Sequence, residues 1–121
     1  WEDLEIDATV DTINDLRFKL APYHYEQDEK LKEAKEGPIF KDILPFYTSK
    51  LDAQVKKSNG YFVNGRLTWA DVYFVALLDY LCYMVKKDII ASSPNLQILK
   101  ENVLKVPSIS SWMEKRPKND F

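Results

Sequence analysis

Four aspartates, Asp3, Asp7, Asp11 and Asp15, recur every fourth residue near the start of the chain. On a helix that spacing lines them up in one row, an array of carboxylates suited to holding a cation. Like charges four residues apart destabilise an isolated helix by about 0.2–0.5 kcal/mol per pair. The positive end of the helix dipole offsets this for Asp3 and in part for Asp7, but its effect fades beyond the first turn. Asp11 and Asp15 therefore have two readings. Either they form a solvated acidic face with Lys19 as a local partner, or they meet a cation outside the helix, an arginine of another domain or subunit or the ammonium group of a ligand.

Other groups capable of chemistry are sparse. His24 has no second histidine, paired cysteine or serine nucleophile motif near it, and reads as a loop or surface residue rather than a catalyst. Cys82 is the single cysteine and sits in an apolar run, where it reads as a small buried hydrophobe rather than a reactive thiol. One cysteine excludes a disulfide framework or a structural zinc site within the chain, which fits a cytosolic setting. Asp79 interrupts the same apolar run and is expected to cap or pair with another segment, because an unpaired buried carboxylate is costly.

The elements that must position these groups read as helices throughout. Glycine occurs only at positions 37, 60 and 65, and no stretch alternates apolar and polar residues over a strand-like length. A first helix spans about Asp3 to Tyr23, with Ile6, Val10, Ile13, Leu16 and Leu20 on one face and Pro22 loosening its end. Residues Glu26 to Glu36 read as a solvated linker or an exposed turn of helix. A second helix starts near Pro38, is kinked at Pro45 and ends at Lys57-Ser58-Asn59-Gly60, where Asn59 or Gly60 suits a left-handed cap. The third helix is the most sharply marked. Thr68 and Asp71 form a capping box, and the run from Val72 to Val85 carries Asp79 as its single charge, so this helix is expected at the buried centre. Ser93-Pro94 opens a short helix through Leu96, Leu99 and Val103, and a last one follows Pro107 and stops before Pro117. Trp69 and Trp112 read as core anchors. The fold class is an all-α, orthogonal bundle of about five helices in one domain.

With 17 Lys and Arg against 19 Asp and Glu, the net charge of −2 is a poor footprint for binding nucleic acid. No segment reads as a signal peptide or a membrane span. The chain opens at Trp1 rather than at a methionine, so it is expected to be processed or part of a longer polypeptide.

Gly65-Arg66-Leu67-Thr68-Trp69-Ala70-Asp71-Val72-Tyr73-Phe74, with Val10-Asp11-Thr12-Ile13-Asn14-Asp15 upstream and Pro107-x-Ile109-x-x-Trp112-x-x-x-Arg116-Pro117 downstream, closely resembles the C-terminal half of a glutathione transferase. The match is best to the sigma class, which includes insect enzymes and the glutathione-dependent prostaglandin D synthases, and it covers essentially the whole chain in order. The resemblance implies the helical domain of a cytoplasmic homodimer, working with an N-terminal thioredoxin-like domain that this chain lacks. It implies that Asp15, with Asp11 one turn earlier, contributes to binding the co-substrate glutathione, Asp15 reaching the glutathione amino group held by the other subunit. It places Asn14, Arg17, Pro22, Tyr73, Ala76, Leu77 and Phe121 along the pocket for a hydrophobic electrophile, while by residue type Tyr73 reads equally as core filler and Arg17 equally as a salt-bridge partner of Asp11 or Glu2. Asn14 stands where the prostaglandin synthases carry an aspartate that helps bind a metal between subunits, so no metal is expected here.

The alternative is a non-catalytic interaction or structural module of the same family, in which the pocket wall persists by descent. The neighbouring N-terminal domain decides between the two, a thioredoxin-like domain with an early tyrosine favouring the enzyme. No tyrosine of this chain matches the thiol-activating one of such enzymes, and no catalytic residue is expected here. The 121-residue chain assayed alone should therefore give no conjugation of glutathione above the uncatalysed rate.

Overall fold

The architecture follows from one apolar helix that cannot face water along most of its length. In the computed structural model, which describes residues 1–115, six α-helices and one π-helical segment follow in order. They are α1 (Glu2–His24), α2 (Glu29–Gly37), the π segment Pro38–Ile43, α3 (Leu44–Lys57), α4 (Trp69–Val85), α5 (Pro94–Leu104) and α6 (Pro107–Lys115). Among the described residues there is no strand beyond an isolated bridge between Val63 and Arg66, and no helix is long and apolar enough to cross a membrane.

Helices α1 and α4 form the central pair. Ile6, Val10, Ile13, Leu16 and Leu20 of α1 are buried, as their helical spacing predicts, together with Ala70, Phe74, Val75, Leu78, Leu81, Met84 and Val85 of α4. Leu51 and Val55 of α3 and Leu96, Leu99 and Val103 of α5 complete the core. Phe62, from the loop before α4, meets Phe74 edge to face at 5.5 Å.

The stretch from Glu26 to Glu36 folds into a helix of its own. Asp28 caps α2 by accepting the N–H groups of Lys30 and Leu31, yet α2 buries no residue. Lys35 pairs with Glu26 of the connecting turn at 2.9 Å, and Tyr23 of α1 donates to Glu36 at 3.3 Å. The helical backbone runs without a break from α2 through the π segment into α3, with Ile43 and Leu44 both in the right-handed helical region. Pro45 lies in the first turn of α3, directly after the π segment, so its missing N–H falls where the hydrogen-bond register changes from π to α. At the far end of α3, Asn59 (φ 57°) and Gly60 (φ 97°) both adopt the left-handed conformation expected of the cap, and Gly60 N–H closes it on the Val55 carbonyl at 3.0 Å.

Ser93 occupies the N-cap of α5, but its hydroxyl makes no capping bond. Asp52 of α3 does that work from another helix, accepting Asn95 N–H at 2.9 Å and Leu96 N–H at 3.0 Å, while its second oxygen takes the Asn95 side-chain amide. Two expected core anchors are exposed instead: Trp69 at 54% and Trp112 at 53%. Trp69 opens α4 on its outward flank, and Trp112 belongs to α6, which packs chiefly on α5. Asp79 is exposed as well, since it falls on an arc of α4 that the bundle leaves open.

The capping box forms at the start of α4. Asp71 is fully buried and accepts Thr68 N–H at 2.8 Å on one oxygen and Phe62 N–H at 2.9 Å on the other, with the Thr68 hydroxyl 3.5 Å from the first. Burial pushes its carboxyl above the ordinary value of 3.8, against the pull of those donors. Replacing Asp71 with Ala strands two backbone N–H groups and should cost about 3 kcal/mol, measured by urea unfolding. Because the folded state binds the Asp71 proton more tightly than the unfolded chain, the stability tied to it is greatest below the ordinary carboxyl value. It falls as pH rises through the raised one. The stability gap between wild type and Asp71→Asn should therefore shift in favour of wild type as pH is lowered.

Candidate functional site

The open flank of α4 is a stripe of aromatic residues. Trp69, Tyr73, Tyr80 and Tyr83 stand at offsets of four, seven and three, which keeps them on one side of the helix, with Ala76 between. None of them is fully buried. The facing edge of α1 supplies Asn14, Arg17 and His24. The same packing that buries Ile13 and Leu16 leaves Asn14 and Arg17 half-exposed at the rim of the helix pair.

The two helices are joined across this flank by a short hydrogen bond in which the Tyr73 hydroxyl donates to the Asn14 side-chain oxygen. Trp69 lies edge-on to Tyr73, ring centres 6.2 Å apart. Two turns along α4, the Arg17 guanidinium sits 6.0 Å from the Tyr80 ring centre and 5.9 Å from that of Phe18. The hydroxyls of Tyr80 and Tyr25 share a hydrogen bond at 3.1 Å. That bond, aided by partial burial, raises the Tyr80 phenol above its ordinary value, while the nearby Arg17 charge pulls it down. His24 packs among the rings of Tyr25, Tyr80 and Tyr83, at 4.7, 6.5 and 5.3 Å. The flank is thus apolar and aromatic near Trp69 and polar near Arg17, the mixture that small-molecule sites use for bulk and orientation.

Asn14, Arg17, Tyr73 and Ala76, all expected along a pocket, converge on this flank. Leu77 lies one turn beyond Tyr73 and packs half-buried against the core, and Pro22 is exposed, its carbonyl accepting the Lys35 ammonium at 3.4 Å. Phe121 lies outside the described residues. Asp3, Asp7, Asp11 and Asp15 are all exposed along α1. Within the described residues Asp15 forms no ion pair with Lys19, and Arg17 engages aromatic rings rather than Asp11 or Glu2. Glu2 pairs instead with Arg66.

The sequence reading missed Tyr25, His24, Tyr80 and Tyr83 as members of this flank. The four-and-three spacing of aromatics from Trp69 to Tyr83 was the available signal, hidden because an apolar run with a strong cap reads as buried on every side. Cys82 is half-buried in an open groove of about 570 Å³ with Lys86, Lys87 and Lys100, and burial raises its thiol above the ordinary value, which disfavours a nucleophilic thiolate. A polar groove of about 640 Å³ between α1 and α3, lined by Thr9, Thr12, Lys50 and Gln54, lies on the opposite side of α1 from the aromatic stripe.

The chain matches the family model described as "Glutathione S-transferase, C-terminal domain" over residues 14–116. It is similar to glutathione S-transferase S1 of Drosophila melanogaster, at 45% identity over 97% of this chain and 47% of that protein. It is similar also to a glutathione S-transferase of Anopheles gambiae, at 44% identity over 97% of this chain and 58% of that one. Among solved structures, the prostaglandin synthase D of Nilaparvata lugens superposes with a TM-score of 0.88 at 36% identity, over 98% of this chain and 59% of its own. The chain therefore spans about half the length of the proteins it matches.

The Asn14–Tyr73 bond makes a direct prediction. Tyr73→Phe and Asn14→Ala should each lower stability by about 1 kcal/mol, and the double variant by clearly less than the sum. Strict additivity in urea unfolding would mean that the two side chains do not interact.

Proposed function

The chain belongs to the glutathione S-transferase C-terminal domain family, and we propose that it is the helical half of a cytoplasmic, dimeric, sigma-like transferase. Its role in the complete protein is to wall the electrophile pocket and to complete the glutathione site, the thiol being activated by an N-terminal thioredoxin-like domain outside this chain. The observation that carries the reading is the convergence of Asn14, Arg17, Tyr73 and Ala76 on one open, half-apolar flank.

In this reading the electrophile lies along α4, its apolar body against Trp69, Tyr73 and Ala76. The Tyr25–Tyr80 hydroxyl pair and the Arg17 guanidinium receive an oxygen at its other end. The preferred substrates are then hydrophobic molecules with one hydroxyl, carbonyl or carboxylate, either conjugated or isomerised. The exposed Asp15 reaches the ammonium group of glutathione bound by the second subunit, with Asp11 adding to the local negative potential.

The test uses the complete natural polypeptide and a general aromatic electrophile, with an Asp15→Ala variant beside it. Conjugation is expected in the wild type. In the variant the KM for glutathione should rise about tenfold, with a smaller change in kcat, as for the loss of one charge-assisted contact of about 1.4 kcal/mol. An inactive complete polypeptide would favour a non-catalytic module, and an unchanged KM would remove Asp15 from the glutathione site.

A further inference from the structure

The loop between α3 and α4 contains two Asn-Gly steps, Asn59-Gly60 and Asn64-Gly65, and all four residues have positive φ. Asn-Gly is the step at which an asparagine side chain is most open to attack by the following backbone nitrogen, because glycine has no side chain to hinder it. We infer that Asn64 is a site of spontaneous deamidation in this protein and that Asn59, five residues earlier, is protected by the fold.

The reaction balances without any oxidant or enzyme. The Gly65 nitrogen gives up its proton to solvent base and bonds to Cγ of Asn64; the Cγ–Nδ2 bond breaks as Nδ2 takes a proton from solvent, and it leaves as ammonia. Water then opens the five-membered imide at either carbonyl. The products are an aspartate at position 64 or an isoaspartate, whose backbone runs through the side-chain carbon.

What separates the two sites is the nucleophilic nitrogen. At Gly60 the N–H is committed to the Val55 carbonyl at 3.0 Å, and the Gly60 carbonyl accepts the Asn102 side-chain amide, also at 3.0 Å. The packing there is close enough that a Cβ on Gly60 would come within 2.8 Å of that amide nitrogen. Gly60 is thus held on both sides. Gly65 is exposed, and its N–H makes no hydrogen bond among the described residues. It sits at the tip of a left-handed Asn-Gly turn closed by the isolated Val63–Arg66 bridge, in which Arg66 N–H reaches the Val63 carbonyl at 3.3 Å. The remaining restraint on Asn64 is its side-chain amide, which donates to Glu2 at 3.1 Å in an exposed setting.

Deamidation would turn that donor into a carboxylate facing the Glu2 carboxylate, and the two would compete for Arg66, which now serves Glu2. An isoaspartate would also lengthen the turn by one backbone atom. Phe62 and Val63, directly behind it, are buried, and Phe62 N–H is held by Asp71, so the change would loosen the strap that enters α4.

The experiment incubates the folded chain at mildly alkaline pH and body temperature. Tryptic cleavage after Lys57 and Arg66 then releases one peptide carrying both asparagines, read by tandem mass spectrometry. The expected result is a unit mass gain at Asn64 several-fold faster than at Asn59, with the two rates converging when the chain is incubated in denaturant. Equal or faster reaction at Asn59 in the folded chain would overturn the inference, as would no gain at either site while the denatured chain reacts. For the consequence, Asn64→Asp should melt several degrees below Asn64→Gly, and Glu2→Gln should abolish that gap. A gap of zero in the wild-type background would show that the carboxylate is accommodated.

Discussion

The structure depends on the burial of the amino-terminal end of α4. An apolar helix at the centre of a bundle takes the inward part of its junction, Phe62, Val63, Ala70 and Asp71, out of water together, and each unpaired N–H there would be costly. A single carboxylate resolves this. Asp71 accepts one N–H from its own helix start and another from Phe62 in the preceding loop, so the loop is fastened to the helix it leads into. With that junction fixed, the rotation of α4 is set, and with it the side it offers to α1. Phe74, Leu78 and Leu81 turn inward. Tyr73, Ala76 and Tyr80 are left along the rim.

The rim owes its character to the mismatch between a helix that is apolar nearly all round and a bundle that covers only part of it. Large aromatic side chains suit such a position, since their rings shelter apolar area while their hydroxyls remain available for hydrogen bonds. Tyr73 and Tyr80 use theirs on Asn14 and Tyr25, and Arg17 lies over Tyr80, pairing with no carboxylate among the described residues. Among the described residues Asp11 and Asp15 of the acidic row form no ion pair, a charge distribution suited to a cation from outside.

Most of the fold was legible because helix signals are local. The inward face of α1 followed from the spacing of Ile6 to Leu20, and the start of α4 from Thr68 and Asp71. What sequence could not give was supplied by contacts between distant segments. The capping of α5 by Asp52 comes from a residue more than forty positions away, and nothing in Ser93-Pro94 betrays it. The exposure of Asp79 and Trp69 depends on which arc of α4 the other helices cover, which periodicity alone leaves undecided when nearly every position is apolar. The candidate site divides the same way. Asn14, Arg17, Tyr73 and Ala76 were named by resemblance, whereas Tyr25, Tyr80 and His24 enter only once α1 and α4 are set side by side.

The Asp52 cap also bears on how the molecule comes apart and together. The first turn of α5 has no hydroxyl cap of its own, so its free N–H groups are satisfied only while α3 is in place. The Asn102 amide adds a second tie, from α5 to the Gly60 carbonyl in the loop beyond α3. Helix α5 is therefore a poor candidate for an early, autonomous folding unit. It is expected to order with α3 and the intervening loop as one cooperative block, exchanging its amide hydrogens with theirs and not with those of α2, which buries nothing and can open by itself.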